Sequence, residues 1–419
     1  MIPRKPASFH VVCEPSLSPL HFQWLKGGVP IAGAPDSPDF TIPVSLTTHA
    51  GFYSCRVSNA GGSIESAAGE LIVRNPFLTL VGKYNGLITP LAGLPSGTPA
   101  LRGGYYSLSV SSLGAFSGVV YLDGVKYPIK GTFDTDGVAD LIISGGPGGG
   151  PHVRFALFDS ASDLCSVTVD FAGVVVATGT APKNVFHATK NPATQAGAYT
   201  VMLPSPPDAS LPQGIGFAVM NVTAAGAVKL SGRCGDDQPF SYGGFLSPEG
   251  TLPFYAALAY IAPGSLQGTL RCRDLVNVSD CDGDLAWFKP AQTIGISYPA
   301  GFDTTVSLIG SRYVAPPLGS PMLVLPPAPG NLVMRFEGAI PAPFEKSLSV
   351  SSSNIVTVDN LGPDNLIMTL APKNGRVTGS FIDVANGKKL PLNGVVLQKT
   401  TEVVLLYKAT TGKTGKAKN

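Results

Sequence analysis

From Phe77 onward the chain alternates apolar and polar residues in short stretches, such as Ser166–Phe171 and Leu266–Cys272. Glycine, proline, Asp-Gly and Asn-Gly turns interrupt these stretches at a spacing of about 8 to 12 residues. Alternation with a period of two puts apolar side chains on one face of a strand. The pattern therefore predicts an all-β chain whose antiparallel strands form a sandwich or a barrel.

Three parts of this region are similar to one another, at 104–133, 216–245 and 366–396. In each, glycine-containing turns separate three alternating runs, so each copy predicts a three-stranded meander. A meander alone cannot bury its apolar face, and we expect the copies to pack on one another or on the strands between them. Interior glycines such as Gly118 would permit the sharp coiling that a closing sheet needs.

Residues 7–73 follow a second pattern. Cys13 ends a strand-like alternation, Trp24 follows it, and Tyr53 stands two residues before Cys55. This order and spacing resembles that of intermediate-set immunoglobulin domains. The resemblance implies a disulfide between Cys13 and Cys55 that joins two sheets, with Trp24 packed on it and a tyrosine corner at Tyr53.

Two departures from the immunoglobulin pattern stand out. His49 occupies a position where the family usually has an acidic residue, and the chain begins almost at the second strand of the fold. An unpaired sheet edge at the start would be a liability for a complete protein. We therefore expect this chain to be the C-terminal part of a larger exported polypeptide. No signal-peptide pattern follows Met1.

Further motifs occur in order along the repeated region, among them Pro253–Tyr260, Leu285–Pro290 and Gly310–Pro317. They resemble the Gly-rich repeated C-terminal region of large secreted proteins of verrucomicrobial and related bacteria, which immunoglobulin-like domains directly precede. The resemblance covers residues 80–407 and implies an exported, surface-associated protein. It implies no activity and no catalytic residues.

Composition narrows the possible functions. The 419 residues include 50 Gly and 38 Pro, only 13% are charged, and the formal net charge of +2 comes from scattered side chains. Such dispersed charge gives no electrostatic footprint for nucleic acid. It also leaves few groups for acid–base catalysis, so we predict that the chain is not an enzyme. Because Gly, Pro or Ser interrupts every apolar run, no transmembrane helix is expected.

The six cysteines contain no CxxC pair, and none lies near a histidine at zinc-finger spacing. Their even number in a Gly-rich β chain favours disulfides in an oxidising compartment. Cys272 and Cys281 flank a loop between two predicted strands, where a cross-strand bridge is geometrically easy. Cys165 and Cys234 are either a third pair or two buried thiols.

Asp134, Asp136 and Asp140 form the most suggestive acidic stretch, with Gly137 among them. Carboxylates at alternate positions around a glycine could bind Ca²⁺, which needs six to eight oxygen ligands. The favoured alternative is a plain Asp-Gly turn between two strands. A second acidic turn at 280–284 is a weaker calcium candidate, and no other cofactor is predicted.

Other candidates for chemistry have simpler interpretations. The Gly412–Thr414 segment contains the Gly-Lys-Thr of a phosphate loop, but the motif's leading glycine is missing and no helix follows, which favours a basic tail. The five histidines are dispersed. Several aromatic residues could stack on a sugar or could fill the sheet core, and the core is favoured: Tyr105, Tyr106, Tyr255, Tyr260, Trp287, Tyr298 and Phe302.

The predicted organisation is an immunoglobulin-like domain followed by three β-meander modules and a tail. The predicted boundaries are 1–74, 75–205, 206–320, 321–407 and a flexible basic tail at 408–419. The leading functional hypothesis is a non-enzymatic extracellular or cell-surface protein that mediates binding or adhesion or acts as a spacer. Its ligand would be an unidentified protein or polysaccharide. The alternative is a carbohydrate-binding accessory region of an exported hydrolase.

Overall fold

The computed structural model describes residues 6–14, 19–73, 75–134, 136–143, 150–157, 164–294 and 297–419. Strands dominate them, and the helical segments in these ranges are two short 3₁₀ turns, Thr47–His49 and Pro76–Leu78. The predicted all-β class is confirmed. The chain divides into two compact units. Unit 1 gathers the described residues of Met1–Val81, Val110–Phe116 and Gly131–Gly137, and unit 2 gathers Gly82–Ser109, Ser117–Lys130 and the described part of Val138–Asn419.

The N-terminal domain is an immunoglobulin-like sandwich of two small antiparallel sheets. Its strands are β1 (Ala7–His10), β2 (His21–Lys26), β3 (Val29–Pro30), β4 (Asp39–Ile42), β5 (Gly51–Asn59), β6 (Gly62–Glu65) and β7 (Gly69–Leu71). One sheet pairs β1 with β4, and the other has the order β3-β2-β5-β6, with β7 also on β5. This pairing follows the strand arrangement of the immunoglobulin fold.

The core of this domain contains the residues that the family pattern singles out. Trp24 is 3% exposed, Cys55 is fully buried, and the two lie directly opposite each other on β2 and β5. The Tyr53 hydroxyl donates a hydrogen bond of 2.7 Å to the backbone oxygen of His49. That contact is the predicted tyrosine corner, and it fixes the turn that leads into β5.

Twenty-four further strands form three eight-stranded antiparallel sheets, which we call barrels 1, 2 and 3. Barrel 1 contains β8 (Gly82–Pro90), β9 (Gly104–Val110), β10 (Ala115–Leu122), β11 (Val125–Thr132), β12 (Val138–Ile142), β13 (His152–Ala156), β14 (Leu164–Phe171) and β15 (Val174–Pro182). Barrel 2 contains β16 (Gly197–Leu203), β17 (Gly216–Val222), β18 (Ala227–Arg233), β19 (Pro239–Phe245), β20 (Thr251–Leu258), β21 (Gly264–Arg271), β22 (Cys281–Lys289) and β23 (Phe302–Tyr313). Barrel 3 contains β24 (Leu332–Glu337), β25 (Phe344–Val350), β26 (Val356–Val358), β27 (Ile367–Ala371), β28 (Arg376–Asp383), β29 (Lys388–Leu397), β30 (Glu402–Lys408) and β31 (Thr414–Lys418).

All three sheets have the strand order of an up-and-down barrel. The first strand of each pairs with the last, as β8 does with β15, β16 with β23 and β24 with β31. The two edge strands of each sheet are consecutive in the chain, β11 with β12, β19 with β20 and β26 with β27. Successive strands therefore run round each sheet in chain order, and within the described residues the two edge strands of each sheet are not joined by a hydrogen-bonded ladder.

The predicted meanders are present, but they do not occupy equivalent positions. The first two copies become β9–β11 and β17–β19, the second to fourth strands of their barrels. The third becomes β27–β29, the fourth to sixth strands of barrel 3. The repeats thus mark a recurring hairpin geometry and not the boundaries of a repeated barrel. The predicted limits of the three modules stay a prediction.

Side chains fill the barrel interiors with the period of two that the sequence shows. Barrel 2 encloses large residues such as Phe254 and Trp287, and barrel 3 encloses Phe336, Phe381 and Tyr407. Each of these five is at most 2% exposed. The interiors are therefore packed cores, which stabilise the barrels by burying apolar surface.

The C-terminal residues are not a flexible tail, and that prediction is wrong. Thr414–Lys418 forms β31, which pairs with β30 on one side and β24 on the other. Gly415 and Ala417 face inward, whereas Lys416 and Lys418 form ion pairs with Glu337 and Glu402. A lysine-rich end can thus serve as a closing strand because its charges alternate with small residues.

Barrels 2 and 3 are fused through their outer faces. Met202 and Phe217 of barrel 2 pack against Val395, Val404 and Leu406 of barrel 3 in a separate apolar cluster. All five are at most 5% exposed. Strands of this interface are apolar on both faces, because one face lines a barrel and the other covers its neighbour.

Glycine allows neighbouring strands to approach closely at matched points of barrels 1 and 2. A Cβ atom at Gly118 in β10 would lie 1.9 Å from the backbone oxygen of Ser107, and one at Gly232 in β18 would lie 2.0 Å from that of Phe217. No side chain fits at such distances. The predicted role of interior glycine in coiling the sheet is consistent with this approach.

We expect Gly232→Ala to lower the free energy of unfolding by about 2 kcal/mol, because the strands must separate to admit the methyl group. Urea denaturation of the whole chain measures the loss. The control is Gly243→Ala in the neighbouring strand, where an added Cβ meets no atom within 4 Å. This control should change stability by less than about 0.5 kcal/mol. Equal denaturation midpoints for the two variants would contradict the argument.

Candidate functional site

The first candidate surface is the open edge of the immunoglobulin-like domain, which we call the edge groove. It is a depression of about 650 Å³ between β6 and the segment after β1. Its apolar lining includes Val11, Val12, Leu20, Val57 and Ile64. In the described part of the chain, β5 is the only strand that pairs with β6, and all four residues of β6 are exposed.

Ile64 shows why this edge is unusual. It lies directly opposite Val57 on the β5–β6 ladder, so both side chains emerge on the same face of the sheet. Val57 is 8% exposed and belongs to the domain core, but Ile64 is 74% exposed. An apolar residue on the inward face is thus left uncovered. An open strand edge beside such a residue is a template for pairing with another chain.

The second candidate surface is the inter-barrel groove between barrels 1 and 2, which has a volume of about 430 Å³. Every lining residue is uncharged, and most carry an amide, a hydroxyl or an exposed backbone. The lining consists of Asn85, Gly86, Leu87, Thr89, Thr178, Gly179, Thr180, Pro182, Asn184, Phe245, Leu246, Ser247, Thr251, Pro253 and Thr269. Its chemistry suits a neutral, polar ligand rather than an ion.

Asn85 holds the two sides of the inter-barrel groove together. Its side-chain amide donates a hydrogen bond of 3.2 Å to the backbone oxygen of Phe245, and its Oδ1 accepts one of 2.9 Å from the Phe245 N–H. The buried Asn85 side chain pairs with both the N–H and the C=O of one residue of β19. It therefore takes the place that the backbone of a neighbouring strand would occupy. On the far side of the groove Asn184 donates to the backbone oxygen of Ala225.

A cluster of tyrosines also joins barrels 1 and 2. Tyr105 packs on Tyr121, Tyr242 and Tyr255, with ring centroids 5.8 to 6.4 Å apart. The hydroxyl of Tyr255 accepts a hydrogen bond of 2.7 Å from the backbone N–H of Gly124. Burial raises the pKa of Tyr105 to about 12.

The predicted alternative that the aromatic residues form the core is confirmed for the most buried of them. Tyr105, Tyr106, Tyr255 and Trp287 are at most 4% exposed, which leaves no free ring face for a sugar. The hydroxyl of Tyr260 is engaged by Asp236, and Phe302 packs edge-on against Trp287.

Barrel 2 also buries a group of ionisable residues near its end. The Tyr260 hydroxyl donates a hydrogen bond of 2.7 Å to Asp236, and the Lys289 ammonium lies 4.0 Å from the centre of the Tyr260 ring. Burial raises the pKa of Asp236, and burial lowers that of Lys289 while Asp236 opposes the shift. Asp236 and Lys289 each have a partner inside the barrel end, because the Lys289 ammonium also donates a hydrogen bond of 3.2 Å to the Gln292 side-chain oxygen.

The first acidic turn is built around Asp134. Its carboxylate accepts a hydrogen bond of 2.9 Å from the Asp136 N–H, and Gly137 has a φ of 70°. Asp140 lies on β12 opposite Arg154, and Thr135 is outside the described residues. Within the ranges that the structure describes, no three His, Cys, Asp or Glu side chains are grouped so that they could hold a metal ion. The Asp-Gly turn accounts for Asp134, and calcium binding stays an untested prediction.

The second acidic turn uses its carboxylates as structural partners. Asp282 forms two hydrogen bonds with Arg273, of 2.9 and 2.6 Å, and Asp284 accepts one of 2.6 Å from Ser307. Asp280 accepts one of 2.7 Å from the backbone N–H of Arg312. These contacts engage both carboxylate oxygens of Asp282 and one oxygen each of Asp280 and Asp284.

All six cysteines are free thiols in the structure. The sulfur atoms of Cys272 and Cys281 lie 3.3 Å apart. Cys13 packs against the cluster that contains Cys55 and Trp24, as the predicted bridge requires. Burial raises the pKa of Cys165 to about 12 and places that of Cys234 well above its ordinary value, which makes both thiols unreactive. Both disulfides stay predictions.

The Gly-Lys-Thr sequence near the C-terminus belongs to barrel 3. Thr414 is 1% exposed, and its hydroxyl lies 3.0 Å from that of Tyr298 and accepts a hydrogen bond from the Gly214 N–H.

Two histidines of the first domain have acidic partners that the sequence did not reveal: His10 lies 2.7 Å from Asp39, and His21 lies 2.8 Å from Asp36. These pairs connect residues distant in sequence, so spacing gave no signal for them.

Comparisons with known proteins identify no family. No family model matches the chain, and no curated protein matches it. Solved structures align with it at low TM-scores. Immunoglobulin domains 1–4 of Sidekick-1 have a TM-score of 0.17 and 13% identity, with 94% of each chain covered. A transferrin binding protein B mutant from Haemophilus parasuis has a TM-score of 0.19 and 10% identity, with 99% of this chain and 84% of that chain covered. Insect hemolin has a TM-score of 0.17 and 9% identity, with 94% and 96% covered.

None of the helical segments in the described ranges is long and apolar enough to cross a membrane.

We expect Asn85→Ala to lower the free energy of unfolding by about 2 kcal/mol, because it removes two hydrogen bonds and leaves the partly buried N–H and C=O groups of Phe245 without these partners. Urea denaturation followed by tyrosine fluorescence measures the change. Asn221→Ala, at an exposed position of β17, is the control and should alter stability by less than about 0.5 kcal/mol. A loss for Asn85→Ala no larger than the control's would show that the side chain does not join the barrels.

Proposed function

We propose that this chain is a non-enzymatic extracellular or cell-surface binding protein, in which the immunoglobulin-like domain mediates adhesion. The observation that carries the proposal is Ile64, an apolar residue on the inward face that is 74% exposed beside a strand edge with no partner among the described residues. A strand added to β6 would cover Ile64 and satisfy the free backbone groups at the same time.

The partner that we propose for this edge is a second copy of the chain. Two β6 strands related by a twofold axis would pair antiparallel, and each Ile64 would then enter the other copy's edge groove. Such an interface is self-complementary, as closed homodimers require. The neighbouring charges are already balanced within one chain, because Glu65 pairs with Arg56 and accepts a hydrogen bond from Ser54.

The barrels would serve as a spacer. Barrels 2 and 3 are joined by the apolar cluster of their outer faces and by polar contacts such as the 2.6 Å hydrogen bond from the Thr200 hydroxyl to the backbone oxygen of Val396. Their solid cores would resist deformation. Export is supported by the even number of cysteines in a charge-poor β chain and by the resemblance to secreted bacterial proteins.

We expect Ile64→Lys to weaken self-association at least about tenfold, because it removes an apolar contact and places a charge on the pairing edge. Light scattering of the whole chain over a range of concentrations gives the dissociation constant. Val44→Lys is the control: Val44 is 50% exposed in the same domain but outside β6, and its variant should associate like the original chain. A monomer at every concentration before any substitution would refute the proposed partner.

A second candidate function is binding of a neutral saccharide, favoured by the uncharged amide and hydroxyl lining of the inter-barrel groove. Sugars are recognised by hydrogen bonds from such groups without charge neutralisation. Thr180 is an exposed hydroxyl in this groove. It would contact a ligand without supporting the fold.

If the groove binds a saccharide, a glycan array should show saturable binding to one class of neutral polysaccharide. Thr180→Val should then weaken it by up to about tenfold, the value of one lost hydrogen bond. Thr357→Val, at an exposed position of β26 in barrel 3, should leave binding unchanged. A flat array would remove this candidate and leave the adhesion proposal standing.

A further inference from the structure

Cys272 and Cys281 face each other across the end of an antiparallel ladder. Arg271 pairs with Asp282 on β21 and β22, so the next residues of the two strands stand opposite each other. The two sulfur atoms lie 3.3 Å apart, and both side chains belong to the core of barrel 2, with exposures of 6% and 0%. A disulfide needs a sulfur separation of about 2.0 Å. Small side-chain rotations would suffice to reach it.

The loop between these cysteines already has the backbone of a closed hairpin. The Arg273 N–H donates a hydrogen bond of 3.1 Å to the backbone oxygen of Asp280, and the Leu275 N–H donates one of 2.7 Å to that of Ser279. The flanking strands are therefore held at a fixed separation. The sulfur atoms can therefore be joined without a change in the backbone conformation of the hairpin.

The same loop contacts barrel 3 through two carboxylates. The Lys399 ammonium forms ion pairs with Asp274 and Asp280, the second at 2.6 Å. Asp280 also accepts the hydrogen bond from the Arg312 N–H, which anchors it to β23. Lys399 and Asp280 are 14% and 19% exposed, so solvent screens their ion pair less than it screens the pair with Asp274, which is 73% exposed. A covalent bond that restricts loop 273–280 would therefore also hold the ion pairs between this loop and Lys399 of barrel 3.

We propose that Cys272 and Cys281 form a disulfide that staples loop 273–280 in the conformation that engages Lys399. The oxidant is a small disulfide such as oxidised glutathione. The Cys272 thiolate attacks this disulfide, forms a mixed disulfide and releases one thiol. The Cys281 thiolate then attacks the Cys272 sulfur and releases the second thiol. The protein loses two protons and two electrons, and the small disulfide takes them up to become two thiols.

The two thiols are suited to these unequal roles. The hydrogen bond with Cys281 lowers the pKa of Cys272, whereas the same contact and burial raise the pKa of Cys281. Cys272 is also the more exposed of the two. The thiol that reacts first is therefore the one with more thiolate character.

The test uses the whole chain, equilibrated with oxidised or reduced glutathione and then digested without reduction. Mass spectrometry should find the peptides of Cys272 and Cys281 joined to each other and two hydrogens lighter. The oxidised chain should melt about 4 °C or more above the reduced chain, because the staple restricts the unfolded state. Amide exchange in 273–280 should slow at least about tenfold on oxidation.

Three variants separate the staple from other effects of oxidation. Cys281→Ser should lose the melting shift and the slower exchange, whereas Cys165→Ser, at another buried thiol, should keep both. Lys399→Met should keep the disulfide and its melting shift but lose part of the protection of the loop.

The proposal fails if Cys272 or Cys281 is recovered as a glutathione adduct, joined to another cysteine, or free under oxidising conditions. It also fails if Cys281→Ser shows the same melting shift as the original chain. These results would leave the adhesion proposal untouched, because that proposal concerns only the first domain.

Discussion

The pairing of the first strand with the last is the interaction on which each barrel depends. In barrel 2 it runs over five residue pairs, from Ala198 with Tyr313 to Met202 with Ile309. Without it the eight strands would form two separate four-stranded sheets whose apolar faces met water, because β19 and β20 are the edges of the sheet. With it Trp287 and Phe254 become fully buried, and the same strands present an outer face on which a second barrel can pack. The packing of barrel 2 against barrel 3 therefore depends on the closure of each barrel.

The fusion of the barrels explains the unusual hydropathy of the chain. Strands at the interface, such as β29 and β30, bury residues on both faces, so they read as continuous apolar runs rather than as alternation. A protein whose modules share outer faces needs fewer charged residues than one whose modules are separate, because less of its surface meets water. The charged fraction of 13% is consistent with this arrangement.

Much of the fold could be predicted from sequence, because the signals were local. The spacing of Trp24, Tyr53 and Cys55 identified the first domain, and alternation identified the class of the rest. The end of barrel 3 was missed because lysines at 416 and 418 look like a solvated tail until their alternation with small residues is noticed. Asn85-Gly86 is typical of a hairpin turn, yet it lies inside β8.

The candidate surfaces were less accessible to sequence reasoning. The inter-barrel groove joins residues near 85, 180 and 250, and no local pattern connects them. The exposure of Ile64 depends on the lack of a covering strand among the described residues, so it is a property of the assembled domain and not of the residue. By contrast, the cysteines at 272 and 281 were predicted as neighbours because only a short loop separates them.

The position of β31 at the end of the chain delays the folding of barrel 3. Its partner β24 lies about eighty residues earlier, and Arg335 pairs with Lys418. Such distant pairings must form against the entropy of a long loop, and folds that depend on them are slow to form. Barrel 3 cannot close until residue 418 has been synthesised. Until then its apolar strands stay open to wrong partners, and a nascent chain of this kind would benefit from a chaperone that delays collapse.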